Sequence, residues 1–120
     1  MSRFSFQKRV QSFKYAFKGI AHVFANEHNM WIHLIAAFCV VFAGFYFKVD
    51  KTEWLMIIVS IGMVIAAELF NSAIEKMVDL VSPGRNEKAG LIKDIAAGAV
   101  LICAITAAVI GCIIFLPKII

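Results

Sequence analysis

The sequence predicts an all-α membrane protein with three transmembrane helices and an N-terminal amphipathic surface helix. Of its 120 residues, 62% are hydrophobic and 17% are charged, whereas soluble domains average about 45–50% and about 25%. The apolar residues also gather into three segments near the length that crosses a bilayer, which is about 17–25 residues. A chain of this length suits one domain, so we expect residues 1–120 to fold as a single unit.

The N-terminal segment is predicted to form a helix over about residues 5–26 that lies on the membrane surface. Its apolar residues recur at intervals of three and four, and its basic residues fall largely off that stripe. The stripe consists of Phe6, Val10, Phe13, Phe17 and Ile20, and the basic residues are Lys8, Arg9, Lys14 and Lys18. This pattern is typical of a helix in the bilayer interface, and a soluble helix packed on its own protein is the alternative.

The three predicted spans cover about residues 30–47, 54–70 and 95–116. Aromatic residues such as Trp54 stand at span ends, where amphipathic rings favour the interface. The connection of residues 48–53 is so short that the helices on either side should be antiparallel neighbours. We expect the second helix to continue beyond the membrane to about residue 81, where the Pro83–Gly84 pair breaks it.

The distribution of lysine and arginine orients these spans. Nine of the twelve lie before the first span or between the second and the third. Loops rich in lysine and arginine stay in the cytoplasm, so we expect the N-terminus and the second loop on that side. The three on the opposite side are Lys48, Lys51 and Lys118.

Polar residues on the second predicted helix begin inside the membrane. They are Glu68, Asn71, Ser72, Glu75 and Asp79. Because a helix turns about 100° per residue, all five lie on one face, and Glu68 and Glu75 should be about 10.5 Å apart along the axis. A carboxylate within a span costs roughly 2.5–3.5 kcal/mol, so such residues usually face a polar cavity and mark a functional site. The alternative is that Glu68 snorkels or pairs with a lysine for assembly.

Glu27 adds a third carboxylate just before the first span, and Lys93 and Asp94 begin the third helix at the cytoplasmic level. Carboxylates with amide and hydroxyl neighbours suit a hard cation such as Mg²⁺. A lysine beside a helix N-terminus favours phosphate, and an ordinary charged helix boundary is an equally good interpretation.

The nucleotide-binding motifs of soluble folds are absent from this sequence. It contains no G-x-x-x-x-G-K-[ST] loop, no G-x-G-x-x-G and no protein-kinase signature. The residues alone therefore support a membrane enzyme or an ion-coupled protein with a carboxylate site at the cytoplasmic interface. We expect no nucleic-acid partner.

Three segments resemble signatures of the small prokaryotic membrane kinases of the diacylglycerol kinase and undecaprenol kinase family. The most specific is ELFNSAIEKMVD at Glu68–Asp79, which resembles the family pattern E-x-x-N-[ST]-A-I-E-x-x-V-D. KDIAAGAVL at Lys93–Leu101 and GIAHVFANE at Gly19–Glu27 resemble two further blocks. The resemblance covers essentially the whole chain without obvious gaps.

The resemblance implies a homotrimer in a bacterial cytoplasmic membrane that uses ATP and Mg²⁺ to phosphorylate a lipid hydroxyl at its cytoplasmic side. By position, Glu68 corresponds to the catalytic base, and Glu27 and Glu75 correspond to the metal-binding carboxylates. The implied ATP-binding positions are Lys8, Tyr15, Glu27, Glu75, Lys93 and Asp94, and further site members are Asn71, Ser72 and Asp79. Residues Gly84–Glu87 depart from the E-x-H-[EP] loop of the family, which puts a contact between Asn86 and ATP in doubt.

The resemblance also bears on the lipid substrate. NEHNMWIHL at Asn26–Leu34 looks like the undecaprenol kinases of Gram-positive type, so a polyprenol is favoured and diacylglycerol comes next. A different class of function is a non-enzymatic ion-coupled transport or assembly subunit that uses Glu68 as a proton site. Such a subunit would need no cytoplasmic nucleotide pocket.

Overall fold

Four α-helices make up the computed structural model, which describes residues 5–120. They are α1 (Phe6–Asn26), α2 (His28–Tyr46), α3 (Lys51–Val81) and α4 (Glu87–Ile119). Helices α2, α3 and α4 are each long and apolar enough to cross a membrane. The prediction of an all-helical chain with three apolar helices is therefore confirmed. Arg3, one of the residues used to orient the spans, lies outside the described residues.

A single extended residue, Glu27, separates α1 from α2. Its backbone has φ −112° and ψ 118°, and its N–H donates to the carbonyl of Val23 at 2.9 Å. Glu27 stands at the N-cap position of α2, but its side chain makes no capping hydrogen bond. The carboxylate is therefore available to another helix.

The connection from α2 to α3 is closed by a capping box. The Asp50 carboxylate accepts from the backbone N–H of Glu53 at 2.8 Å, and the Glu53 carboxylate accepts from the backbone N–H of Asp50 at 3.0 Å. This reciprocal pair satisfies donors that a helix start leaves open. The other oxygen of Glu53 accepts from Lys118 Nζ at 2.7 Å, which ties the end of α4 to the start of α3.

A buried apolar cluster lies at the same end of the molecule. Val49, Ile57 and Ile114 form a buried cluster. The ring of Trp54 packs against α2 at Gly44, where an added Cβ would come within 2.7 Å of the indole. An alanine at position 44 would therefore force the indole of Trp54 to shift.

Helix α3 is one uninterrupted helix of 31 residues, or about 46 Å at 1.5 Å per residue. It packs mainly against α4 and α2. The chain leaves α3 at Val81, and Asn86 caps α4 by accepting from the backbone N–H groups of Lys88 and Ala89 at 2.8 and 3.2 Å. Helix α4 therefore begins at Glu87, well before the predicted membrane span.

Candidate active site

Glu68 is a buried carboxylate in the middle of this long helix, with 4% of its surface exposed. Its Oε2 atom lies 3.6 Å from Nε2 of His33 on α2. This distance suits an electrostatic contact and exceeds that of a good hydrogen bond. The side chain therefore faces α2, next to an imidazole that the sequence analysis did not assign to the site. The available signal was a histidine within the first predicted span, close to the N-terminal end of that span.

Glu27 reaches across from the α1–α2 junction to α3. Its Oε1 atom accepts from Ser72 Oγ at 2.9 Å and from Lys76 Nζ at 3.4 Å. The Ser72 hydrogen bond, opposed by partial burial and assisted by Lys76, holds the pKa of Glu27 below its ordinary value. The carboxylate is therefore ionised at neutral pH, as a metal-binding carboxylate must be.

The three predicted site carboxylates gather near one another. Glu27 and Glu75 are both close enough to Glu68 to repel its negative charge, and Glu75 also attracts the ammonium group of Lys93. Within residues 5–120, no group of three or more His, Cys, Asp or Glu side chains forms a ready metal cage. A cation here would rely on few protein oxygens.

Asn71 offers a further oxygen on the same helix. The residue is 9% exposed, and its buried Oδ1 atom has no hydrogen-bond partner among the described residues. A buried acceptor without a donor is uncommon in native proteins and calls for an explanation such as an ion or water. Carboxylate, amide and hydroxyl oxygens in small number fit Mg²⁺, which commonly takes one or two carboxylates together with substrate phosphates.

The polar face of α3 continues to a contact with α4. Lys93 Nζ donates to Asp79 Oδ1 at 2.6 Å, and both side chains are substantially exposed. Asp94 is exposed beside this ion pair. The polar face of α3 therefore contacts three other parts of the chain. Glu68 contacts His33, Ser72 contacts Glu27, and Asp79 contacts Lys93.

Two cavities adjoin these residues. A cleft of about 500 Å³ lies between α1 and α3, and its walls include Tyr15, His22, Ser72 and Lys76.

A groove of about 460 Å³ runs between α2, α3 and α4. The groove starts at His33 beside Glu68 and is otherwise almost entirely apolar; its other residues include Ala37, Val40, Ser60, Val64, Ala108 and Phe115.

Of the residues predicted from the resemblance, one lies apart from the carboxylates and another has its side chain engaged in a helix cap. Lys8 is exposed near the start of α1, about 28 Å from Glu27 along the helix axis. The Asn86 side chain is occupied in capping α4. Within one chain, the structure brings Glu27, Glu68, Ser72 and Asn71 together and leaves Lys8 at a distance.

Comparison with known proteins agrees with the predicted resemblance. Residues 14–115 match the family model of prokaryotic diacylglycerol kinase. The chain is 40% identical to the undecaprenol kinase of Bacillus subtilis over 108 residues, covering 90% of this chain and 88% of that protein. It is 30% identical to the diacylglycerol kinase of Escherichia coli over 109 residues, covering 91% and 89%. The chain therefore belongs to the prokaryotic diacylglycerol kinase family.

Proposed function

We propose that this protein transfers the γ-phosphoryl group of ATP to the hydroxyl of a membrane lipid, with Mg²⁺ as cofactor. A polyprenol is the favoured acceptor, and diacylglycerol is the next candidate. The observation that carries the proposal is the position of Glu68, which is buried on α3 next to His33 in the wall of the apolar groove and one helical turn from Ser72 in the wall of the α1–α3 cleft. A lipid and a nucleotide can thus approach the same carboxylate from opposite environments.

The groove supports a lipid as the acceptor. Its walls are hydrocarbon except near His33, Ser60 and Cys112, so a lipid chain can occupy most of it without covering polar groups. A chain lying in the groove would direct its terminal hydroxyl toward His33 and Glu68. Glu68 would then accept the hydroxyl proton while the oxygen attacks the γ-phosphorus and ADP departs.

The polar residues around Glu27 and Glu75 support a phosphate donor such as ATP. Glu27 and Glu75 would hold Mg²⁺, with Asn71 as a further oxygen ligand, and Lys93 would supply positive charge nearby. Bound Mg²⁺ would neutralise charge on the phosphates and leave the protein to position the reactants. Tyr15 lies in the wall of the α1–α3 cleft, where it would contact the nucleotide.

His33 would hold Glu68 in position. Its Nε2 atom is 3.6 Å from the carboxylate, close enough to orient the oxygen toward a hydroxyl arriving from the groove. The imidazole also reduces the cost of placing a carboxylate at this depth, because a nearby polar partner replaces part of the lost hydration.

Three observations support a polyprenol over diacylglycerol. The segment around His33 resembles the undecaprenol kinases, and the undecaprenol kinase relative shares 40% identity, against 36% and 30% for two diacylglycerol kinases. A polyprenol also has no ester groups near its hydroxyl, and the groove is apolar immediately below His33.

We further propose a homotrimer in the bacterial cytoplasmic membrane, with α1 on the membrane surface and the site facing the cytoplasm. Large apolar side chains on α1 are exposed in the single chain, including Phe13 and Phe17 at 67% each, which suits contact with lipid. We expect each site to draw on two subunits, because Lys8 lies about 28 Å along α1 from Glu27 of its own chain.

Purified protein in vesicles tests the function. Radiolabelled ATP and Mg²⁺ are supplied with undecaprenol, with diacylglycerol or with neither lipid. We expect label in both lipids, with a higher kcat/KM for undecaprenol. A higher value for diacylglycerol would contradict the preferred substrate, and label in neither lipid would favour the ion-coupled subunit that uses Glu68 as a proton site.

A further inference from the structure

Lys76 is a basic residue inside the candidate site that neither the sequence motifs nor the proposed reaction uses. Its Nζ atom lies 3.4 Å from Glu27 Oε1 and 3.4 Å from Ser72 Oγ. The Lys76 side chain is 54% exposed, whereas the Glu27 side chain is 28% exposed. An ammonium group therefore rests on the carboxylate that is proposed to bind Mg²⁺.

The two cations compete for one oxygen. Glu27 Oε1 already accepts from Ser72 at 2.9 Å, so an ion bound to this atom would meet the ammonium group at close range. Mg²⁺ and the ammonium group of Lys76 repel one another, so Mg²⁺ bound at Oε1 would weaken the contact between Lys76 and Glu27. The exposed, flexible stem of Lys76 allows the ammonium group to move away.

The neighbouring cavity gives Lys76 a place to go. Lys76 lines the cleft of about 500 Å³ between α1 and α3, together with Tyr15, His22 and Ser72. A triphosphate bound with Mg²⁺ at Glu27 would extend along this cleft and would bring several negative oxygens within reach of the lysine. Lysine binds phosphate well as a compact, mobile charge.

We propose that Lys76 is a phosphate-binding residue that pairs with Glu27 before Mg²⁺ and ATP bind and moves to the triphosphate when they enter. The inference rests on the proposed function, since it assumes that Glu27 binds the metal. It adds a residue to the nucleotide site and gives Glu27 a positively charged partner from its own chain.

The test compares Lys76→Gln and Lys76→Arg with the wild type. Lys51→Gln is the matched control, because it removes the same charge from an exposed position at the other end of α3. Mn²⁺ serves as a spectroscopic probe of metal binding without nucleotide, and a fluorescent ATP analogue reports nucleotide binding. Neither measurement depends on turnover, so both give a result even if the lipid substrate has been wrongly assigned.

We expect Lys76→Gln to bind Mn²⁺ more tightly than the wild type and to bind the ATP analogue roughly tenfold more weakly, as expected for loss of one charge-assisted hydrogen bond. Lys76→Arg should recover part of the nucleotide affinity, and Lys51→Gln should match the wild type in both assays. An unchanged affinity in either assay for folded, monodisperse Lys76→Gln would overturn the exchange. Failure of the wild type to phosphorylate any lipid would instead count against the proposed function.

Discussion

Replacing Glu68 by glutamine removes a proton acceptor and leaves the size of the side chain almost unchanged. Glu68 is 4% exposed and adjoins His33, so a smaller residue would leave a cavity, whereas glutamine fills the same space. The substitution also removes the repulsion that Glu27 and Glu75 exert at this position, so the fold should tolerate it. We therefore expect Glu68→Gln to remain folded and to bind Mg²⁺–ATP with nearly wild-type affinity.

The expected defect lies in turnover. General-base help contributes about 10²–10⁴-fold to rate, which corresponds to about 2.7–5.4 kcal/mol of activation free energy. The assay measures kcat and the KM for ATP in lipid vesicles with undecaprenol present. Glu53→Gln is the control, because it makes the same change on the same helix at the opposite end, where the partner is Lys118. A kcat within threefold of wild type for Glu68→Gln would remove Glu68 from the base role.

Three further predictions concern the metal, the packing and the subunit arrangement. Glu27→Gln and Glu75→Gln should each raise the Mg²⁺ concentration needed for half-maximal activity, and excess Mg²⁺ should restore part of the lost activity. Mg²⁺ titrations of the two variants that coincide with the wild-type titration would contradict the metal assignment. Gly44→Ala should lower thermal stability by about 1–3 kcal/mol, because the new Cβ would stand 2.7 Å from the Trp54 ring, and an unchanged melting temperature would show that the indole moves freely. Mixed oligomers of the inactive Glu68→Gln and Glu27→Gln proteins should regain activity if each site is shared between subunits; no recovery in oligomers shown by crosslinking to be mixed would place each site within one chain.

The helices could be predicted because their signals are local. Length and hydropathy define the three apolar helices, and Pro83 and Gly84 explain why α3 and α4 are separate. The clustering of polar residues after Glu68 follows from the helical repeat alone. These features depend on near neighbours in the chain, so one sequence is sufficient to find them.

The contacts between helices could not be predicted in the same way. The pairs His33–Glu68 and Lys76–Glu27 depend on how α2 is rotated and how the α1–α2 junction approaches α3. Nothing in the spacing of residues within one helix encodes that rotation, because ridges and grooves of two helices set it together. The carboxylates of α3 can therefore be predicted to share one helical face, whereas the positions of His33 and Lys76 at these carboxylates cannot be predicted from spacing.

In the proposed reaction, the continuity of α3 would let one small protein join two substrates that occupy different solvents. A long-chain lipid cannot leave the bilayer and ATP cannot enter it, because each would lose solvation that the other environment cannot replace. A single rigid helix would solve this problem by holding Glu68 within the apolar part and Glu75 about 10.5 Å further toward the polar end.

The burial of Glu68 has a second consequence. With 4% of its surface exposed and an apolar groove beside it, the proposed base has little contact with water, so an activated nucleophile at this position is more readily a lipid hydroxyl than a water molecule. On this reasoning, substitutions that let water into the groove below His33 should increase ATP hydrolysis relative to lipid phosphorylation, whereas substitutions on the exposed outer face of α4 should leave that ratio unchanged.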